Sequence, residues 1–164
     1  MPRRRMIGPE VWTDYYISAL TRDERLFLVG SLGNADDEGR LNGQPAYLKA
    51  SIFMYDDDLT AACTKDIRDS VLKKMSTWPT THPYKLLYYD VGGATYLVFP
   101  NWYDQQKPSH PTKSKLPEPP PEPLPIFSRE PHEELTNPSA LGQGSIGQVR
   151  SGQGRAVQRD RRAL

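Results

Sequence analysis

Hydrophobic and polar positions alternate in two different rhythms along the first hundred residues, and then the rhythm stops. Leu26, Phe27, Val29, Gly30 and Leu32 recur at helical spacing. Thr21-Arg22-Asp23-Glu24 stands ahead of them as a capping box. A helix is therefore predicted over about 22–35, with Gly30 and Ser31 marking close approach by another element. Pro45 opens a shorter helix to Phe53, with Tyr47, Leu48, Ile52 and Phe53 as its core face. Thr64 caps a third helix over about 65–76. Its buried stripe is Ile67, Val71, Leu72 and Met75, with Lys65, Arg68, Asp69, Lys73 and Lys74 outward. Ahead of all three, Trp12, Tyr15, Tyr16 and Ile17 form an apolar cluster expected to pack on the core.

The second rhythm is that of a strand. Leu86–Val91 and Ala94–Phe99 flank Gly92-Gly93, the signature of a two-residue β-hairpin turn. Arg40-Leu41 is a candidate short strand. The order helix, short strand, helix, helix, hairpin predicts an α+β fold. Its plan is a winged helix-turn-helix: three or more helices plus a two-stranded β wing. In that plan the last helix before the hairpin is the one free to enter a major groove. Its Lys65, Arg68, Lys73 and Lys74 are suited to phosphates and base edges, although Asp66 and Asp69 interrupt them.

Composition locates the end of the domain. Of 16 aromatic residues, 15 lie at or before Tyr103, whereas ten of 16 prolines lie at Pro108 or later. A segment so poor in apolar side chains cannot offset its conformational entropy by burial. The reading is a winged-helix domain over 1–104, a Pro-rich basic linker over 105–125 and a low-complexity flexible tail over 126–164. Lys107, Lys113 and Lys115 make the linker a candidate arm along a phosphate backbone. The tail repeats Gly-Gln units and is expected to be disordered; in its last 15 residues Arg150, Arg155, Arg159, Arg161 and Arg162 face one acid, Asp160. The same arginines could add non-specific attraction to nucleic acid or simply solubilise the end.

Charge and chemistry change little in this picture. The chain of 164 residues has a net charge of +1, with 13 basic against 14 acidic residues up to position 111. Any nucleic-acid contact must come from local faces, not from the whole. One cysteine, Cys63, excludes an internal disulfide framework and a cysteine-built zinc site. No apolar run approaches a membrane span and no signal peptide is visible, so no membrane and a cytoplasmic setting are expected. His82, His110 and His132 stand beside prolines, with no partnered nucleophile and no ligand spacing. No catalysis, metal or cofactor is expected. The acids Asp36, Asp37 and Glu38 near a helix C-terminus oppose its dipole and require compensation, with Arg40 the nearest candidate.

Several landmarks together resemble a known family. They are Leu20–Leu28, Ala35-Asp36-Asp37-Glu38-Gly39-Arg40-Leu41, Leu48–Asp56, Asn101-Trp102-Tyr103-Asp104-Gln105-Gln106 and Ser114-Lys115-Leu116-Pro117. Over about residues 6–117 the chain resembles the N-terminal winged-helix region of phage replisome organiser proteins, the DnaD-like replication initiators. The resemblance implies binding of origin or single-stranded DNA, recruitment of replication proteins such as a helicase loader, and no catalysis. Longer relatives continue into a second helical domain; here the proline and Gly-Gln segment stands instead. Two other readings remain open: a protein-interaction adaptor that uses the winged helix for docking, and a transcriptional regulator of the same fold. Strand preference, oligomeric state and partner identity are not readable from the residues.

Overall fold

A computed structural model of the chain describes residues 4–121. The tail from 126, with its six arginines and His132, lies outside the described residues. After a 3-10 turn at Pro9–Trp12 come α1 (Tyr15–Ser18), α2 (Arg22–Asn34), β1 (Arg40–Asn42), α3 (Pro45–Ile52), α4 (Ala61–Ser76), β2 (Leu87–Val91), β3 (Ala94–Val98) and α5 (Trp102–Gln105). The fold is α+β, with a three-stranded antiparallel sheet in the order β1-β3-β2. Where a two-stranded wing was expected there is a three-stranded sheet, because Arg40, Leu41 and Asn42 pair with Val98, Leu97 and Tyr96.

Helix α2 begins where the capping box places it. Glu24 N donates to Thr21 Oγ1 at 3.3 Å, and Thr21 N donates to Glu24 Oε2 at 2.7 Å. The close approach expected at Gly30 is made by Ile52 of α3. A Cβ on Gly30 would come within 2.5 Å of Ile52 Cγ2. Helix α4 starts four residues before the expected position. Thr60, not Thr64, is the cap, and its Oγ1 accepts from Cys63 N at 3.2 Å. Thr64 is buried inside the helix and donates back to Thr60 O. Two threonines spaced by one turn offer the same local signal, and the side chain that must be buried decides between them.

The sheet has two faces, because alternate side chains point to opposite sides. Leu41 and Leu97 belong to the main core with Phe27, Leu32, Leu48, Val71 and Met75, and Tyr88 packs against it. On the other face Tyr89 stacks on Tyr96, with ring centroids 5.4 Å apart. Tyr89 and Val98 are buried there too, at 1 % and 7 % exposure, outside the main core cluster. The hairpin turn holds Gly92 at φ 61° and Gly93 at φ 78°, the double positive that a type I′ turn needs.

Two aromatic expectations change. Trp12 and Tyr15 are 66 % and 82 % exposed, and only Val11, Ile17 and Leu20 of that region are fully buried. Tyr47, expected on the core face of α3, is 42 % exposed. In both stretches a short helical turn sends adjacent apolar side chains to different sides, as with exposed Tyr47 and buried Leu48. Among the described residues no helix is long and apolar enough to cross a membrane.

Candidate nucleic-acid interface

The helix expected to carry the contacts, α4, spends most of its cations on the fold itself. Arg68 is the clear correction. Instead of facing outward it is buried, with Nη1 donating to Gly43 O at 2.7 Å, Nε donating to Asp69 at 2.9 Å and the guanidinium 6.0 Å from the Tyr88 ring centroid. It fastens α4 to the end of β1 and to β2. Lys74 is half-buried, 2.5 Å from Glu24 Oε2. Burial pushes the Glu24 carboxyl up, but hydrogen bonds from Lys74, Ser70 and the Thr21 amide outweigh it and hold the pKa below its usual 4.5. Lys65 is exposed but paired with Asp69 at 2.7 Å. Lys73 alone of the four is exposed without an ion pair among the described residues.

Arg68 sits one turn after Thr64, on the stripe that also carries Val71, Leu72 and Met75. A basic residue between buried positions reads as surface in a pattern of polarity. The structure buries it because a carbonyl and a carboxylate wait there.

The segment after α5 carries three more of the candidate lysines, Lys107, Lys113 and Lys115. The composition predicts a linker leaving the domain, but residues 106–117 lie back along it as a strap. Gln106 is buried and exchanges two bonds with the Met6 backbone: Met6 N to Oε1 at 3.1 Å and Nε2 to Met6 O at 2.7 Å. Further on, the acidic turn receives the strap. Thr112 N donates to Asp37 Oδ2 at 2.8 Å, Ser114 N to Glu38 Oε1 at 3.0 Å, and Ser114 Oγ to Asp36 Oδ2. Arg40 Nη1 donates to Leu116 O at 3.1 Å, and Tyr89 Oη to Pro117 O at 2.9 Å. The last bond lies on the back face of the sheet, over the ring that the strap helps to bury.

The three acids that oppose the α2 dipole are compensated in this way. Asp36 Oδ1 accepts from the amides of Glu38 and Arg40, both at 2.9 Å. Arg5 reaches Asp37 at 3.0 Å and Ala35 O at 2.8 Å while lying 5.1 Å over Trp102. Arg40, the predicted partner, pairs with Glu38 at 2.7 Å. Gly39 is required at the turn for two reasons: its φ is +76°, and a Cβ would meet Trp102 at 2.9 Å.

Because the strap is extended, alternate residues face opposite ways. Ser114 and Leu116 turn inward, and Lys113 and Lys115 are exposed. Lys107, at its start, is exposed as well. None of the three lysines forms an ion pair among the described residues. Tyr103, 58 % exposed on α5, stands four residues before Lys107, whereas Trp102 is buried beneath the sheet region at 2 %. No protein-family model, curated protein or solved structure matches the chain.

Three further residues that the sequence singles out, Asn101, His82 and Cys63, make local contacts. Asn101 Nδ2 donates to Thr80 O at 2.8 Å and His82 O at 2.9 Å, tying down the loop before β2. His82 accepts from Tyr84 N at Nδ1 and meets Asp14 at 3.2 Å through Nε2, packed against Tyr16 and Trp78. Cys63 is a free thiol whose pKa is lowered from 9.0, chiefly by the hydrogen bond from the Thr60 hydroxyl. Among the described residues no cluster of three or more His, Cys, Asp and Glu could hold a metal ion.

Proposed function

We propose that this chain is a non-catalytic DNA-binding protein of the phage or prophage replication-initiation type, built on a winged helix whose strap carries the nucleic-acid contacts. The element order α2, β1, α3, α4, β2, β3 with strands ordered β1-β3-β2 supports the winged-helix reading. The observation that carries the DNA reading is the strap itself. Its bonds to Asp36, Asp37 and Glu38 pin every second residue, so Lys113 and Lys115 are presented together on one side. Cations held in place lose less conformational freedom on binding than cations on a loose chain. Lys107, Lys65 and Lys73 are further exposed cations, and Tyr103 offers a ring for an unpaired base. Arg68 and Lys74 contribute through the fold.

Fluorescence anisotropy of the full chain with duplex and single-stranded DNA at about 50 mM salt tests this, because phosphate contacts are least screened there. Replacing Lys107, Lys113 and Lys115 together by Ala should weaken binding and flatten its salt dependence. Absence of binding to either DNA overturns the proposal.

A second reading, a docking module for a basic protein partner, is favoured by one feature. The exposed side of α4 and the turn before it carry Asp57, Asp58 and Asp66, with Met54 and Tyr55 exposed beside them. Retained DNA affinity in an Asp57→Asn, Asp58→Asn, Asp66→Asn variant, with no gain, would speak for this second use of the face. A clear gain would place the acids against DNA.

A further inference from the structure

We propose that the groove between α3, β1 and the strap is a nucleotide subsite that receives one unpaired residue of a DNA strand, base against Tyr47 and phosphate at Lys113 and Lys115. This inference rests on the DNA-binding reading and assigns to it a place. The groove has a volume of about 850 Å³, within the range of small-ligand sites. Tyr47 of α3 and Lys113 and Lys115 of the strap all line it. An aromatic ring 42 % exposed beside two unpaired lysines is the combination that single-strand sites use: a stacking face and a backbone anchor.

The polar lining fits a base edge. Asn34 has committed its Nδ2 to Gly30 O, which leaves Oδ1 as an acceptor. Asn42 has committed its Oδ1 to Gln44 N, which leaves Nδ2 as a donor. Both residues line the groove. One open donor and one open acceptor match the mixed donor and acceptor edge that an unpaired base exposes. Arg5 lines the same groove with a buried Nε that has no acceptor among the described residues. Asp36 and Asp37 are also on the lining, and their charge would repel a phosphate. Both carboxylates are already turned to Arg5 and to amides of the turn and the strap. Lys113 and Lys115 stand on the same lining and form no ion pair among the described residues.

The test compares a short oligothymidylate with an abasic strand of equal length, which has the same phosphates and no bases. Both are titrated into the full chain by anisotropy, and into the Tyr47→Ala, Tyr47→Phe and Lys113→Ala/Lys115→Ala variants. The expected result is a preference of about tenfold for the strand with bases, since one stacked base is worth about that much. Tyr47→Ala should abolish the preference and Tyr47→Phe should keep it. The lysine pair should weaken both strands alike. An unchanged preference in folded Tyr47→Ala overturns the subsite and leaves the DNA reading standing. Equal binding of both strands by the unaltered chain does the same. Loss of binding to every strand overturns the DNA reading. Saturable binding of thymidine monophosphate that Tyr47→Ala abolishes, with no oligomer binding, would overturn the strand as the source and keep the nucleotide.

Discussion

Arg68 shows how a single side chain can be misplaced by polarity alone. It is charged, Asp69 follows it, and its chemistry is that of a phosphate ligand. Yet its donors meet Gly43 O and Asp69, and it is 6 % exposed. Removing a buried hydrogen-bonded charge leaves an acceptor unpaired, so Arg68→Ala should destabilise the fold by about 2–5 kcal/mol. Denaturant unfolding checks this, with DNA affinity of the remaining folded protein unchanged. Glu24 makes a prediction about pH. Its carboxyl is held below 4.5 in the folded chain, so its contribution is fully present above about 4.5. As pH falls through the lower folded value, the proton enters the folded state last, and the contribution is lost. The difference in unfolding free energy between the natural chain and Glu24→Gln should therefore shrink below about pH 4.5. Residue-scale chemistry of this kind was only half legible. The Thr21–Glu24 box could be read directly because its partners are three residues apart. The Lys74–Glu24 pair joins two helices, and no local pattern announces it.

Elements were more legible than residues, because their signals are short-range. The α2 box, Pro45 at the start of α3 and the Gly92-Gly93 turn each lie where the pattern puts them. The start of α4 is the exception. Thr60 and Thr64 are equivalent locally, and burial of Thr64 against the core made the choice. The consequence reaches Cys63, which stands in the first turn of α4 and accepts a hydrogen bond from the Thr60 hydroxyl at 3.2 Å. That bond favours the thiolate, so the thiol ionises below its usual 9.0. Thr60→Ala should cost about 1 kcal/mol of stability through the lost cap. It should also raise the thiol pKa, seen as slower alkylation of Cys63 at neutral pH. Thr60→Ser should keep both properties. The third strand had a weaker signal: Arg40-Leu41-Asn42 is too short to alternate convincingly, and its partner β3 lies more than fifty residues away.

At the scale of the molecule, composition drew the domain boundary at residue 104, just after 15 of the 16 aromatic residues. The hydrogen bonds draw it further on. A strap of prolines, lysines and serines contributes little apolar surface of its own, so a composition count cannot see that it covers someone else's. What it covers is the back face of the sheet, where Tyr89 is 1 % exposed and burial pushes its phenol up to about 12. The acidic turn and the strap are therefore one device: the carboxylates hold the strap, the strap closes the sheet, and the lysines it exposes form the proposed DNA surface. A chain ending at residue 104 should be less stable than one ending at 121 by several kcal/mol, the sum of one exposed tyrosine and the lost strap bonds. The pH dependence supplies an independent check. A phenol whose folded pKa is raised contributes stability that is complete below the unfolded value of about 10 and is lost as pH rises toward about 12. The longer chain should therefore lose stability steeply on alkaline titration, and its Tyr89→Phe variant less so. In the shorter chain, with the ring uncovered, the same substitution should make little difference. If both chains lost stability alike in alkali, with Tyr89→Phe equally without effect in each, burial of Tyr89 would not depend on the strap.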